Sequence, residues 1–173
     1  DSIFDEVVGY SGAMHSKVQV GCFFTDALRV SAGADLCIQN TGGIRSTIDE
    51  GPISIREIYE IDPFNNGTIR FEMTVGDVKR FFKESNSGFY YSGLDVSQID
   101  GDIMISDGHH QLLFDEKMIT VAMNDYMAAV YHPYFQGKAH SFNQTSAAML
   151  ISHLRNTIDT VDYTMCERYF KYE

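Results

Sequence analysis

Apolar residues recur along the chain with two periods, and the longer period predicts helices. Apolar side chains at i, i+3, i+4, i+7 and i+8 predict an amphipathic helix over 20–28, which Gly33 would end. A second helix is predicted to start at Ser54, because Ser54 and Glu57 have the spacing of a capping box. The same spacing of apolar residues predicts two further helices, over 77–85 and 145–157.

Runs of β-branched and aromatic residues between turn residues predict strands. These strands are predicted over 34–38, 68–73, 89–96, 102–106, 111–114 and 118–123. Asp107-Gly108 is a hairpin-turn signal, and the segment from His132 to Asn143 is expected to be a long loop. Helices and strands are interspersed without a regular β-α-β order. The sequence therefore predicts an α+β fold with mixed sheets and flanking helices rather than a doubly wound sheet.

Length and composition narrow the class of protein. The 173 residues suit a single domain over 1–173, and 44% of them are apolar, as in globular proteins. A formal charge of −11 argues against a nucleic-acid partner, because no stripe of lysine and arginine is present to replace counterions. No long apolar span occurs, so no membrane span is expected. The chain begins at Asp1 and shows no signal peptide, so we expect a mature, trimmed or excised segment.

Cysteines and histidines offer little chemistry in this sequence. Three cysteines, at 22, 37 and 166, are too few and too scattered to predict a disulfide framework or a zinc motif. Cys22 and Cys37 lie within apolar patterns and are predicted to be small core residues. His109 and His110 are adjacent, so on a strand they would point to opposite faces and would not share an ion. Without an HxH, HExxH, CxxC or GxSxG motif, neither a metal site nor a catalytic nucleophile is expected on this chain.

The segment 40–45, which reads Asn-Thr-Gly-Gly-Ile-Arg, follows a predicted buried strand. Its two glycines permit positive φ and a close approach of the backbone to a ligand. Arg45 offers a planar fork of donors for a phosphate or carboxylate, and Asn40 can fix the loop or bind a ligand itself. Two alternatives remain open at this point. The segment can be an ordinary turn, and Arg45 can form a surface ion pair with Asp49 or Glu50.

A second pattern follows, Pro-Phe-Asn-Asn at 63–66, after a glycine turn and a short predicted helix. The pair of patterns, N-x-G-G-I-R and then P-F-x-N, resembles the C-terminal domain of the 5'-nucleotidases. That family includes UDP-sugar hydrolases and 2',3'-cyclic-nucleotide phosphodiesterases. Fainter similarities extend from about Gly21 to Tyr126, so the resemblance covers most of the chain. It implies the fold of that substrate-binding domain.

The resemblance also implies site residues. It gives Phe64 and Tyr126 as two aromatic rings that hold a nucleoside base between them, and Arg45 as the side chain that faces an anion. Asn40, Gly43 and Asn66 would complete the substrate-binding residues. The alternatives are that Phe64 is a core anchor, that Tyr126 is an ordinary tyrosine at a strand end, and that Asn66-Gly67-Thr68 is a turn or a glycosylation sequon.

Two departures from the family stand beside these matches. After the second aromatic residue the family carries Gly-Gly-Asp-Gly, and this chain has Val-Tyr-His-Pro at 130–133. His132 takes the place of the aspartate, where it can form hydrogen bonds without supplying a fixed negative charge. The family's upstream arginine is absent, and Lys17 is only a partial substitute for it. We therefore expect a changed specificity or a weakened affinity for phosphorylated ligands.

In the resembled family, a separate N-terminal metallophosphoesterase domain with a pair of divalent metals performs hydrolysis. None of its motifs occurs in this chain. The leading hypothesis is a nucleotide-recognition domain that needs no cofactor of its own and is inactive alone. Its partners would be a nucleoside or nucleotide and the N-terminal domain, in an extracytoplasmic location. The alternatives are a stand-alone nucleoside-binding module without hydrolysis, and a degenerate fold kept for assembly.

Overall fold

The computed structural model describes residues 3–173 of the chain. Its strands are β1 (Val7–Ser11), β2 (Leu36–Asn40), β3 (Gly51–Ser54), β4 (Gly67–Thr74), β5 (Gly88–Ser92), β6 (Asp95–Ile99), β7 (Asp102–Ser106), β8 (Met118–Asn124), β9 (Ala139–Thr145) and β10 (Tyr169–Lys171). Its α-helices are α1 (Lys17–Ala32), α2 (Ile55–Ile61), α3 (Val75–Glu84), α4 (Asp125–Val130) and α5 (Ser146–Arg155). Short 3₁₀ turns span Thr41–Gly43 and His132–Tyr134.

A six-stranded sheet forms the centre of the molecule, in the order β10-β5-β2-β8-β4-β9. Only β2 and β8 run parallel within it, and every other neighbouring pair is antiparallel. Strand β2 shows how the two faces are used: Cys37 belongs to the core under α1, α2 and α5, whereas Leu36 and Ile38 belong to the core under α3. Two-stranded sheets, β1–β3 and β6–β7, lie outside this sheet. The prediction of an α+β fold with mixed sheets and flanking helices is confirmed.

Sequence patterns located four of the helices, α2 by its capping box and α1, α3 and α5 by the spacing of their apolar residues. Helix α1 ends at Gly33, which adopts the left-handed conformation with φ of 62°. Ser54 accepts a hydrogen bond from the Glu57 backbone N–H while the Glu57 side chain accepts one from the Ser54 N–H, so the predicted capping box starts α2. Helix α3 begins at Val75, two residues before its predicted start. Helix α5 lies within its predicted range.

Three predicted segments differ in the structure. The predicted strand 89–96 is two strands, because Gly93 turns the chain with φ of 104° beside the backbone of Asp35. The predicted strand 111–114 is wrong, since only Leu112 forms a single bridge, to Ser106. The predicted loop 132–143 contains a 3₁₀ turn and most of β9. Strand β9 is almost wholly exposed, so it lacks the apolar alternation that would have revealed it.

Cys22 is buried in the core as predicted, but the expectation that the cysteines form no disulfide bond is wrong. Cys22 in α1 and Cys166 form a disulfide bond across 144 residues of sequence. A single bridge needs only two cysteines, so the scarcity of cysteine that argued against a framework did not exclude it. Arg168 also attaches the C-terminal segment to α1, because its guanidinium donates to the Asp26 carboxylate at 2.8 Å and to the Cys22 carbonyl oxygen at 2.9 Å. Cys37 is the small core residue that was predicted, and burial raises the pKa of its thiol to about 12.

No helix within residues 3–173 has the length and apolar content needed to cross a membrane.

Replacing Cys166 with serine should lower the free energy of unfolding by about 2–5 kcal/mol, because the disulfide restricts the unfolded chain across a long loop. Urea unfolding of wild type and Cys166→Ser, each with and without reductant, measures the effect. Reductant should destabilise the wild type by a similar amount and leave Cys166→Ser unchanged. Equal stability of the reduced and oxidised wild type would show that the bridge does not stabilise the fold.

Candidate functional site

Three strands of the central sheet meet at one edge of the molecule. Strands β2 and β8 are parallel neighbours, so Asn40 and Asn124 end them side by side. Strand β4 runs antiparallel to β8 and starts at this edge, where Thr68 is the register partner of Asn124. The carboxyl ends of parallel strands are a common location for ligand crevices in α/β sheets. The segments that follow β2 and β8, and the segment that precedes β4, are therefore brought together here.

A cavity of about 370 Å³ opens at this edge. That volume is within the range of about 300–1,000 Å³ that is typical of small-molecule sites. The lining residues are Asn40, Gly42, Gly43, Arg45, Phe64, Asn66 and Tyr126. Six of the seven residues expected to bind substrate are thus gathered around one space, and their role in binding stays a prediction. The seventh, His132, begins an exposed 3₁₀ turn after α4 and does not line the cavity.

Hydrogen bonds between side chains join the ends of β2 and β8 at the cavity. The Asn124 amide donates to Asn40 Oδ1 at 2.9 Å and to Gln39 Oε1 at 3.2 Å. The Asn124 Oδ1 atom accepts from the Met127 backbone N–H at 2.7 Å, which caps α4. Asn124 therefore joins the end of β2 to the start of the helix that carries Tyr126. Sequence analysis identified neither Asn124 nor Gln39 as part of the site.

The glycine turn after β2 differs from the expected conformation. Residues 41–43 form a 3₁₀ turn, and neither Gly42 nor Gly43 has positive φ. A close approach explains the glycine at position 43 instead. A Cβ atom built there would overlap the Gln39 side-chain nitrogen and would lie 3.1 Å from Asn40 Oδ1. At Gly42 a Cβ would meet only the Asn40 amide nitrogen, at 3.9 Å. Gly43 therefore lets the backbone lie directly on the Gln39 side chain.

The Arg45 side chain is exposed at the rim of the cavity, on a backbone that is fixed. The Arg45 N–H donates to the Ile61 carbonyl oxygen at 2.9 Å, which ties the turn to the end of α2. Its guanidinium forms no ion pair within residues 3–173, so the alternative pairing with Asp49 or Glu50 is absent there. A cation without a partner at a cavity rim is available to an anionic ligand.

Phe64 and Tyr126 present half-exposed rings to the same cavity. Phe64 is 46% exposed and Tyr126 is 53% exposed. Tyr126 lies in the first turn of α4, directly after the end of β8. An exposure of 46% does not suit a core anchor, which was the alternative interpretation of Phe64. Both rings are therefore accessible to a ligand in the cavity.

The part of the chain that the structure describes contains no group of three or more histidine, cysteine, aspartate or glutamate side chains placed to hold a metal ion. The cavity is lined by amides, aromatic rings, glycines and a guanidinium. Divalent cations prefer carboxylate, imidazole or thiolate ligands. The cavity lining therefore does not fit a pair of divalent metals, which the family resemblance places in another domain.

Known proteins resemble this chain in both sequence and structure. The profile of the family described as 5'-nucleotidase, C-terminal domain, matches residues 8–133. Endonuclease YhcR of Bacillus subtilis is 27% identical over 139 residues, which cover 72% of this chain and 11% of that protein. Protein UshA of Yersinia enterocolitica is 30% identical over 73 residues, which cover 39% of this chain and 13% of that protein. A crystal structure of a 5'-nucleotidase precursor from Thermus thermophilus superposes with a TM-score of 0.78 at 19% identity, over 96% of this chain and 39% of that one.

These similarities confirm the resemblance inferred from the sequence motifs, and the structural match confirms the fold. The chain spans less than a fifth of the length of the two sequence relatives and about two-fifths of the length of the solved structure.

Gly43→Ala should destabilise the domain by about 1–3 kcal/mol, because the added Cβ displaces Gln39 and disturbs its hydrogen bond with Asn124. Gly42→Ala is the matched control: its Cβ has room, and the free energy of unfolding should stay within about 0.5 kcal/mol of wild type. Urea unfolding of both variants measures the difference. Equal stability of the two variants would contradict the close approach at position 43.

Proposed function

Because this chain belongs to the 5'-nucleotidase C-terminal domain family, we propose that its cavity binds a nucleoside or nucleotide, with the base held between Phe64 and Tyr126. The observation that carries the proposal is one cavity lined by two half-exposed aromatic rings and a guanidinium without an ion-pair partner in residues 3–173. Every nucleobase offers π faces, and stacking on an aromatic side chain is worth about 1–3 kcal/mol per base in nucleic-acid complexes. Arg45 supplies paired donors for a phosphate.

The remaining polar groups of the cavity complete the proposed recognition. The Asn40 amide is oriented by its hydrogen bond from Asn124, so its NH₂ group is available to a ligand acceptor. Asn66 precedes β4 in the chain and lines the cavity, so its side chain can contact the sugar or the base. In this proposal the rings select a planar group, and the amides and Arg45 orient it.

We further propose that the chain performs no hydrolysis itself. It would orient the ligand's phosphate toward a metallophosphoesterase domain that lies outside these 173 residues and carries a divalent metal pair. An extracytoplasmic location belongs to the same proposal. The Cys22–Cys166 disulfide supports that location, because such bonds persist mainly in oxidising compartments.

A stand-alone nucleoside-binding module is the second candidate function. The loss of Gly-Gly-Asp-Gly favours it, since His132 stands in place of the aspartate and lies outside the cavity lining. The two candidates differ in what the full reading frame encodes and in the preferred ligand. A recognition domain for phosphate esters should bind AMP more tightly than adenosine, whereas a nucleoside-binding module should bind both equally.

Phe64→Ala and Tyr126→Ala should each weaken adenosine binding by about 1–3 kcal/mol, because each removes one stacking face. The melting temperature should change little, since both rings are about half exposed. Phe114→Ala is the matched control: Phe114 is 80% exposed and does not line the cavity, so adenosine affinity should be unchanged. Isothermal titration calorimetry measures the affinities. A stability loss of about 3–5 kcal/mol in Phe64→Ala would identify a core residue and contradict the clamp.

Arg45→Ala should weaken AMP binding by about 1.5–3 kcal/mol and leave adenosine binding nearly unchanged, because only AMP offers a charged partner. Arg45→Lys should recover only part of the loss, since lysine keeps the charge without the planar fork. Arg155→Ala removes an exposed arginine that pairs with Glu6 outside the cavity, and serves as the control for net charge. Titrations of AMP and adenosine into each variant measure both affinities. An unchanged AMP affinity in Arg45→Ala would show that Arg45 does not bind the phosphate and that the glycine segment is an ordinary turn.

A further inference from the structure

Asp62 follows α2 and buries its carboxyl group without a cation. The residue is 2% exposed, and it forms no ion pair within residues 3–173. Burial raises the pKa of the Asp62 carboxyl above its ordinary value, and a hydrogen bond from the Ser146 hydroxyl opposes that rise. A buried carboxylate is costly unless hydrogen-bond donors satisfy it. The identity of its donor therefore indicates what Asp62 does in this position.

Ser146 connects Asp62 to the cavity wall. The hydroxyl of Ser146, the first residue of α5, donates to Asp62 Oδ2. Pro63 follows Asp62, and its ring fixes φ at the start of the connection. The Ser146 N–H donates to the Asn66 carbonyl oxygen at 2.9 Å. The connection 62–66, which carries two of the cavity-lining residues, is therefore attached to α5 at both of its ends.

The Phe64 ring is nearly half exposed and pairs with no other aromatic ring within residues 3–173. Packing holds a half-exposed ring less firmly than a core ring, so the direction in which the ring points depends more on the backbone of the connection. A displacement of about 1 Å in a binding group is enough to lose much of its effect.

We infer that Asp62 is a positioning residue that holds Phe64 at the cavity, with Ser146 as its partner. This inference rests on the proposed function, in which Phe64 stacks on a nucleobase. Asp62 does not line the cavity, so it acts only through the backbone that it fixes.

A matched pair of serine variants separates positioning from general stability. Ser146→Ala and Ser92→Ala each remove a buried hydroxyl that donates to an aspartate carboxylate, Asp62 in the first case and Asp26 in the second. Ser92 ends β5 away from the residue of β5 that pairs with Asn40. Both variants should melt at a lower temperature than wild type. Only Ser146→Ala should weaken adenosine binding, by on the order of 10-fold. An equal effect of both variants on adenosine affinity would overturn the inference.

Hydrogen exchange of the Ser146 amide proton, which donates to the Asn66 carbonyl oxygen, gives a readout that needs no ligand. Asp62→Ala should accelerate this exchange and weaken adenosine binding, whereas Asp62→Asn should restore much of both, because its amide oxygen still accepts from the Ser146 hydroxyl. Unchanged exchange at Ser146 in Asp62→Ala would overturn the positioning role. Failure of the wild type to bind adenosine would instead contradict the proposed function, and the exchange rates would still decide whether Asp62 fixes the connection.

Discussion

A hydrogen bond between the side chains of Asn40 and Asn124 joins the ends of the only two parallel neighbours in the central sheet. The cavity depends on this junction, because each strand continues into a segment that supplies part of the wall. Beyond Asn40 the chain forms the glycine turn that leads to Arg45, and beyond Asn124 it enters the helix that carries Tyr126. Since Asn124 also caps that helix and binds Gln39, a single buried amide orients both walls at once.

Charge is distributed so that the cavity differs from the molecule as a whole. The chain carries a formal charge of −11, yet no carboxylate lines the cavity, and the Arg45 guanidinium at its rim has no ion-pair partner in residues 3–173. Beside the site, the buried Asp62 carboxylate accepts from the Ser146 hydroxyl, whereas the exposed Asp125 adjoins Tyr126. An anion that enters the cavity would meet Arg45 as the charged side chain of its lining, and this is the electrostatic basis of the proposed ligand class.

Sequence patterns predicted the parts of this structure that depend on near neighbours. The capping box at Ser54 and Glu57 and the stop at Gly33 are set within a few residues, so the helices they bound could be located. The paired motifs predicted that Arg45 and Phe64 lie near each other, because the fold of the resembled family implied their proximity. Both residues line one cavity. The Cys22–Cys166 bridge and the Asp62–Ser146 hydrogen bond join residues far apart in the chain, so no local pattern of residues predicts them. Gly43 was expected for the wrong physical reason, since a close approach to Gln39, rather than positive φ, requires it.

Titration of the ¹⁵N-labelled domain with AMP, followed by the shifts of its backbone amide signals, would test whether the cavity between the glycine turn and α4 binds a nucleotide. We expect the shifts to concentrate at 40–45, 64–66 and Tyr126, around the residues that line the cavity. An alternative groove of about 440 Å³ lies between α3 and β7, and its lining includes Lys79, Arg80 and Lys83. Shifts confined to that groove, or no shifts at any residue at millimolar AMP, would contradict nucleotide binding in the cavity.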